Sequence, residues 1–135
     1  MLVWEDGYKI GQDEMDAEHL ILFSLLNQLD ININADMAHD CVVDVLSALG
    51  AYIDYHFAHE EALMKAWNYP GLEAHSAKHH EFMNEVSRLR QQAEGADMLK
   101  AALKVRGFVL EWLLSHILEV DADYAAFIAG KAKSA

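Results

Sequence analysis

Two side chains four residues apart on a helix share one face, and this chain repeats that spacing with residues that bind protons or metals. His56 and Glu60 stand at it, and so do His75 and His79. His116 and Asp121 form a further pair near the C-terminus, and His19 stands alone near the N-terminus. Each lies in a run where apolar residues recur at i, i+3, i+4 and i+7, the signature of a helix with one buried face. A chain that turns five imidazoles and two carboxylates inward from four helical segments must pack those helices around a common axis.

The segments follow in order. Residues 1–14 have no helical period; Gly7 and Gly11 punctuate them, and Trp4, Tyr8 and Ile10 suit an extended arm folded back on the body, with Trp4 closing one end of the core. Helix A is predicted over about 14–30, with Asp13 as cap and His19, Leu22, Phe23, Leu26 and Leu29 inward. The polar stretch 32–36 reads as a loop. Helix B is predicted over about 37–66, with Asp36 as cap and Val42, Leu46, Leu49, Ile53, His56, Glu60, Leu63 and Trp67 on one face. Pro70-Gly71 ends it and starts helix C, over about 72–93, whose inner face is His75, His79, Phe82, Val86 and Leu89. Gly95 ends helix C and Asp97 caps helix D, over about 98–118, with Leu99, Leu103, Val105, Val109, Trp112 and His116 inward. His116 and Asp121 are five apart, an offset of about 140° on an ideal helix. The helix is therefore expected to bend, or to end and restart, between them. A short helix over about 122–128 follows, and 131–135 are expected to fray. The expected fold is all-α: an antiparallel up-down-up-down four-helix bundle forming one domain over 1–135, with an extended N-terminal arm and a short C-terminal helix.

The formal charge of −12 argues against a nucleic-acid partner, whose phosphates require Lys and Arg, and suits a self-repelling monomer. A hydrophobic fraction of 53% argues against disorder. Cys41 is the only cysteine, so no intramolecular disulfide forms, and a reducing, cytoplasmic location is expected. No basic segment precedes an apolar run at the N-terminus, and no stretch reaches the roughly 20 apolar residues of a membrane span.

One inward histidine is most simply a hydrogen-bonded core residue. Five of them with two acids are not, because each needs a partner or carries a desolvation penalty, and an all-helical core offers few free backbone groups. Metal ions satisfy the whole set at once. His39, His59, His80 and Glu61 fall off the inner faces and read as solvated or as partners of the ligands. Imidazole suits Zn, Cu, Fe and Ni, and no thiolate is at hand. The set exceeds a tetrahedral site and so points to two metals. The zincin pattern fails at Leu63, and no histidine has a glutamate three residues before it, as helix-borne di-iron carboxylate sites require. Histidine-dominated sites bridged by two carboxylates remain. With one bridging oxo or hydroxo group, the donors fill all but one position of two octahedra. The open position, on the metal with fewer histidines, suits a small diatomic ligand.

The segments Asp16-Ala-Glu-His19, His56-Phe-Ala-His-Glu60-Glu-Ala-Leu-Met64, His75-Ser-Ala-Lys-His79 and Trp112-Leu-Leu-Ser-His116-Ile-Leu-Glu-Val-Asp121 closely resemble the hemerythrin family, and within it the single-domain bacteriohemerythrins. The resemblance covers nearly the whole chain, including the i, i+5 pair. It implies two non-haem iron ions with an oxo or hydroxo bridge. By analogy His75, His79 and His116 would hold one iron, His19 and His56 the open one, and Glu60 and Asp121 would bridge both. Phe57, Trp112, Leu113 and Ile117 match positions lining the family's oxygen pocket, where they would exclude water. The pocket so drawn contains no ionisable proton donor. The expected function is reversible dioxygen binding by a carrier, store or scavenger rather than by an enzyme, with a separate oxygen-consuming protein as a recipient. The alternatives are a di-iron enzyme of peroxidase or nitric oxide reductase type, and an oxygen or redox sensor acting through a separate partner.

Overall fold

A computed structural model describes residues 3–35, 39–92 and 97–134. A 3-10 turn at Asp6–Tyr8 precedes α1 (Asp13–Asn34), α2 (His39–Ala66), α3 (Leu72–Gln92) and α4 (Met98–Ser115). A π-helical segment, His116–Asp121, joins α4 to α5 (Ala122–Ser134). The described residues contain no strand. α1 packs on α2 and α4, and α3 packs on α2 and α4. With short connections between successive helices, this is the expected antiparallel bundle.

The inner stripe of α1 is buried as predicted: His19, Leu22, Phe23, Leu26 and Leu29. Two details differ at its ends. The N-cap is Gln12, whose Oε1 accepts from the Glu14 amide at 3.1 Å, rather than Asp13. The helix also runs through 32–34, where a loop was expected. Asn32 is buried there, because its amide accepts from Gln28 and donates to the Cys41 carbonyl on α2 at 3.2 Å. A satisfied amide can stay inside, so polarity alone misleads at this position. The expected cap Asp36 and the expected terminator Gly95 lie outside the described residues.

α2 ends before Pro70. Asn68 takes a left-handed conformation at φ 54°, the Tyr69 amide reaches back to the Met64 carbonyl, and the Asn68 amide reaches Lys65. That pair of bonds is a Schellman stop, which places Trp67 beyond the helix. Trp67 is consequently 37% exposed, not inward as its spacing implied, and Met64 is buried instead. In α4, Leu103 is likewise exposed; Ala102 and Val105 take the inner face.

Two apolar clusters result. The larger fills the bundle, from Ile33, Val42 and Ala102 to Phe57, Leu113 and Ile117. The arm closes over it as expected: Trp4 and Tyr8 meet Phe23 edge-on, with centroids 5.0 and 5.4 Å away. The Asp16 carboxylate ties the arm down by accepting from the amides of Ile10 and Gly11. The smaller cluster, Met15, Met64, Tyr124 and Ile128, seats α5 against α1 and α2. α5 is longer than predicted and stays helical through 131–134, where fraying was expected. No helix is long and apolar enough to cross a membrane among the described residues.

Candidate metal centre

The seven sequence-derived side chains converge, and all are buried. α1 carries His19, α2 carries His56 and Glu60, and α3 carries His75 and His79. The π segment carries both His116 and Asp121. Here the structure rules out the restart that the spacing allowed. The helix does not end but widens by one residue, and i→i+5 hydrogen bonding brings positions five apart onto one face. Both side chains therefore point inward from one continuous rod.

The donor atoms sort into two sets. Glu60 Oε1 lies 2.8 Å from His75 Nε2 and 3.0 Å from His79 Nε2. Asp121 Oδ1 lies 3.0 Å from both His75 Nε2 and His116 Nε2. The other oxygen of each acid faces the opposite way. Glu60 Oε2 is 3.5 Å from His56 Nε2 and 3.8 Å from His19 Nε2, and Asp121 Oδ2 is 3.1 Å from His19 Nε2. Each carboxylate thus turns one oxygen to a group of three histidines and one to a group of two. In each of the sets Glu60, His75, His79, His116 and His19, His56, Glu60, Asp121, ligand atoms lie within 4.8 Å of one another.

Hydrogen bonding among these groups leaves the cluster unsatisfied. His19 Nε2, His79 Nε2 and both Asp121 oxygens are buried without a hydrogen-bond partner. His116 Nε2 and His75 Nε2 face each other at 3.0 Å, where only one of them can carry a proton. Buried polar atoms are rarely left so. Cations seated among them would satisfy the Nε2 atoms and carboxylate oxygens that face the centre, so the residues present fit metal ions.

The electrostatics are those of an acid pair surrounded by bases. Burial disfavours charge on His19 and His75, but Asp121 and Glu60 outweigh it and raise both imidazoles from 6.5 to about 9. Burial and the neighbouring Glu60 push Asp121 upward, yet the close approach of His116, His19 and His75 holds it down at about 2. Glu60 is held well below the ordinary carboxylate range, against burial, by His19, His75 and His79. A raised histidine pKa stabilises the fold fully below the unfolded value of 6.5, and that stability disappears as pH rises through about 9. Chelator-stripped protein should therefore unfold at lower urea at about pH 9.5 than at about pH 6. Metal-loaded protein should show the opposite trend, because ligating imidazoles must be neutral and metal uptake releases protons. Urea titrations of both forms at the two pH values measure this.

Residues around the donors hold them in place. Glu18, 6% exposed, accepts from His56 Nδ1 at 2.9 Å and from His59 Nδ1 at 2.5 Å. The buried Tyr124 hydroxyl donates to Glu60 Oε2 at 2.9 Å. Burial, the nearby Glu60 and Asp121, and that bond raise its pKa far above a free phenol's. Sequence reasoning missed both as site residues. Glu18 is the residue before His19, turned about 100° off its stripe and so toward the neighbouring helix; Tyr124 is three past Asp121 and so shares its face. Of the residues set aside, Glu61 meets a donor directly, its Oε2 3.3 Å from His79 Nδ1, whereas His59 reaches Glu18 and Glu14. His80 is exposed beside a surface cleft between α2 and α3, and the side chain of His39 lies outside the described residues.

The four apolar residues assigned to an oxygen pocket are close by. Phe57 stacks on His79, with centroids 3.8 Å apart and planes at 4°, and Trp112 stacks on His116 at 4.1 Å and 15°. Both rings therefore lie against the three-histidine group, while Phe57 is 5.9 Å from His56. Leu113 and Ile117 are buried in the same apolar cluster as Phe57.

Comparison with known proteins points the same way. Residues 10–128 match the family model described as the hemerythrin HHE cation binding domain. The chain is 30% identical over 128 residues to a bacteriohemerythrin of Clostridium acetobutylicum, covering 92% of this chain and 98% of that one. It is 32% identical over 125 residues to a bacteriohemerythrin of Stenotrophomonas maltophilia, covering 93% and 80%. It is 30% identical over 122 residues to a myohemerythrin of Riftia pachyptila, covering 90% and 89%. A match over most of the length, joined to a histidine-rich bundle core with unsatisfied donors, establishes that this chain belongs to the hemerythrin family.

Proposed function

We propose that the chain binds dioxygen reversibly at a non-haem pair of iron ions, as a carrier, store or scavenger rather than as an enzyme. The observation that carries this reading is the division of each buried carboxylate between a three-histidine and a two-histidine group. In this reading His75, His79 and His116 hold one ion, His19 and His56 hold the other, and Glu60 and Asp121 span both. Two ferrous ions, when bound, supply the electrons and Lewis acidity that dioxygen binding requires. The rest is work for the protein. One imidazole fewer in the His19–His56 group leaves room there for a small ligand. Glu18 accepts the proton of His56 Nδ1, which leaves His56 Nε2 a lone pair directed at the centre. Tyr124 keeps its proton and donates it as a hydrogen bond to Glu60 Oε2, so it steadies the acid without acidifying the site. Phe57, Trp112, Leu113 and Ile117 wall the centre with apolar surface and exclude water, which opposes irreversible proton-driven loss of the ligand. The charge of −12 supports a monomer, and the single cysteine is consistent with a cytoplasmic protein.

The test is oxygenation. Protein loaded anaerobically with ferrous ion is exposed to oxygen, recorded in the visible region, and then deoxygenated. A charge-transfer band that rises and then disappears on deoxygenation supports the carrier reading. A band that decays irreversibly within the mixing experiment supports an enzyme or a sensor instead.

A further inference from the structure

We propose that His59, which contributes nothing to the two donor groups, is a positioning residue: by holding Glu18 it fixes the His56 imidazole and tightens the metal position shared by His19 and His56. This rests on the metal-pair reading above and adds a determinant of how tightly the second ion is held.

The surroundings of the two donor groups differ. Glu18 is the α1 residue next to His19, yet its side chain crosses to α2 and accepts from two imidazoles there, His56 Nδ1 and His59 Nδ1. His56 of the two-histidine group is therefore tied to a buried carboxylate, whereas His19 Nδ1 has no hydrogen-bond partner. A carboxylate anchored through one oxygen can still pivot about that contact. His59 occupies the second oxygen and removes that freedom. His59 is itself held. Its Nε2 lies 3.4 Å from Glu14 Oε2, and the Tyr55 ring covers it at 5.8 Å between centroids. A connected chain runs Glu14, His59, Glu18, His56 from the surface to the donor cluster. The three-histidine group is braced differently. His79 Nδ1 meets only Glu61 at 3.3 Å, a carboxylate 30% exposed, and His75 Nδ1 has no hydrogen-bond partner. Loss of the His59 contact should therefore act on one metal position and spare the other. Groups that orient a ligating histidine typically change metal affinity by about 10–100-fold when removed.

The experiment uses stepwise Co(II) binding, followed by competition with a chromophoric chelator, in the full chain. In His59→Ala the weaker binding step is expected to fall by about 10–100-fold, with the tighter step unchanged. His59→Asn keeps a donor for Glu18 and should restore most of the loss, whereas His59→Phe fills the space without a donor and should not. Zinc-loaded protein gives a second readout by proton NMR. The His56 Nδ1–H signal, shifted downfield by its bond to Glu18, should broaden through exchange in His59→Phe and vanish in Glu18→Gln. Wild-type affinity in His59→Phe overturns the proposal, and so does equal weakening of both steps. Failure of the wild-type chain to bind two Co(II) ions would instead overturn the underlying metal-pair reading.

Discussion

Glu60→Ala will leave the chain unable to retain either metal ion, and metal-free Glu60→Ala will be less stable than the metal-free parent by about 3–5 kcal/mol. No other side chain is placed to substitute. Glu60 lies within 4.0 Å of His19, His56, His75, His79 and His116, and it accepts the Tyr124 hydroxyl. Its removal leaves imidazoles charged in the bundle core with half their countercharge, and breaking a buried charged network from one side leaves the desolvation penalty of the survivors unopposed. Metal analysis after gel filtration and urea unfolding of the stripped protein measure the two parts separately. Glu60→Gln separates shape from charge: it keeps the volume and the bond from Tyr124, so it should fold better than the alanine variant and still lose the metals.

Phe23→Ala has the next largest effect, about 3–5 kcal/mol of stability, with the metals retained. Phe23 is 2% exposed and receives both Trp4 and Tyr8 edge-on. Its truncation opens a cavity in the large cluster and also frees the arm, whose remaining anchors include the Asp16 carboxylate bonds to Ile10 and Gly11. Loss of near-ultraviolet circular dichroism from Trp4, at unchanged far-ultraviolet signal, would mark release of the arm. A stability change under about 1 kcal/mol would mean the core collapses around the site far better than its packing suggests.

The helices and most of the donor set were legible because their information is periodic. A buried stripe forces apolar residues to recur every 3.6 positions, and His19, His56, Glu60, His75 and His79 fall in phase with it. What periodicity does not encode is how a helix departs from its own geometry. The widened turn at His116–Asp121 is an instance: spacing alone showed that two inward residues could not share a regular helix, but a break and a π segment resolve the conflict equally well. Trp67 failed for a related reason, since the stripe has no meaning past the stop set by Asn68. Leu103 failed because the buried stripe runs through Ala102, Val105 and Val109, and Leu103 lies about 100° around the helix from Ala102. Asn32 and Glu18 were misjudged or missed because a buried polar side chain is decided by its partner on another helix, and that partner is a fact of tertiary structure. Tyr124 belongs with them. Its phase pointed inward, but its role depends on Glu60, far away in sequence and 2.9 Å away in space.

In the proposed arrangement two ions would sit side by side between the two carboxylates, one with His75, His79 and His116 and one with His19 and His56. Anomalous diffraction at the iron edge, from crystals of anaerobically iron-loaded protein, tests it most directly. Two peaks are expected inside the bundle, both within bonding distance of Glu60 and Asp121, with more imidazoles around the first than around the second. A single peak, or a second one outside the His19–His56 group, would contradict it.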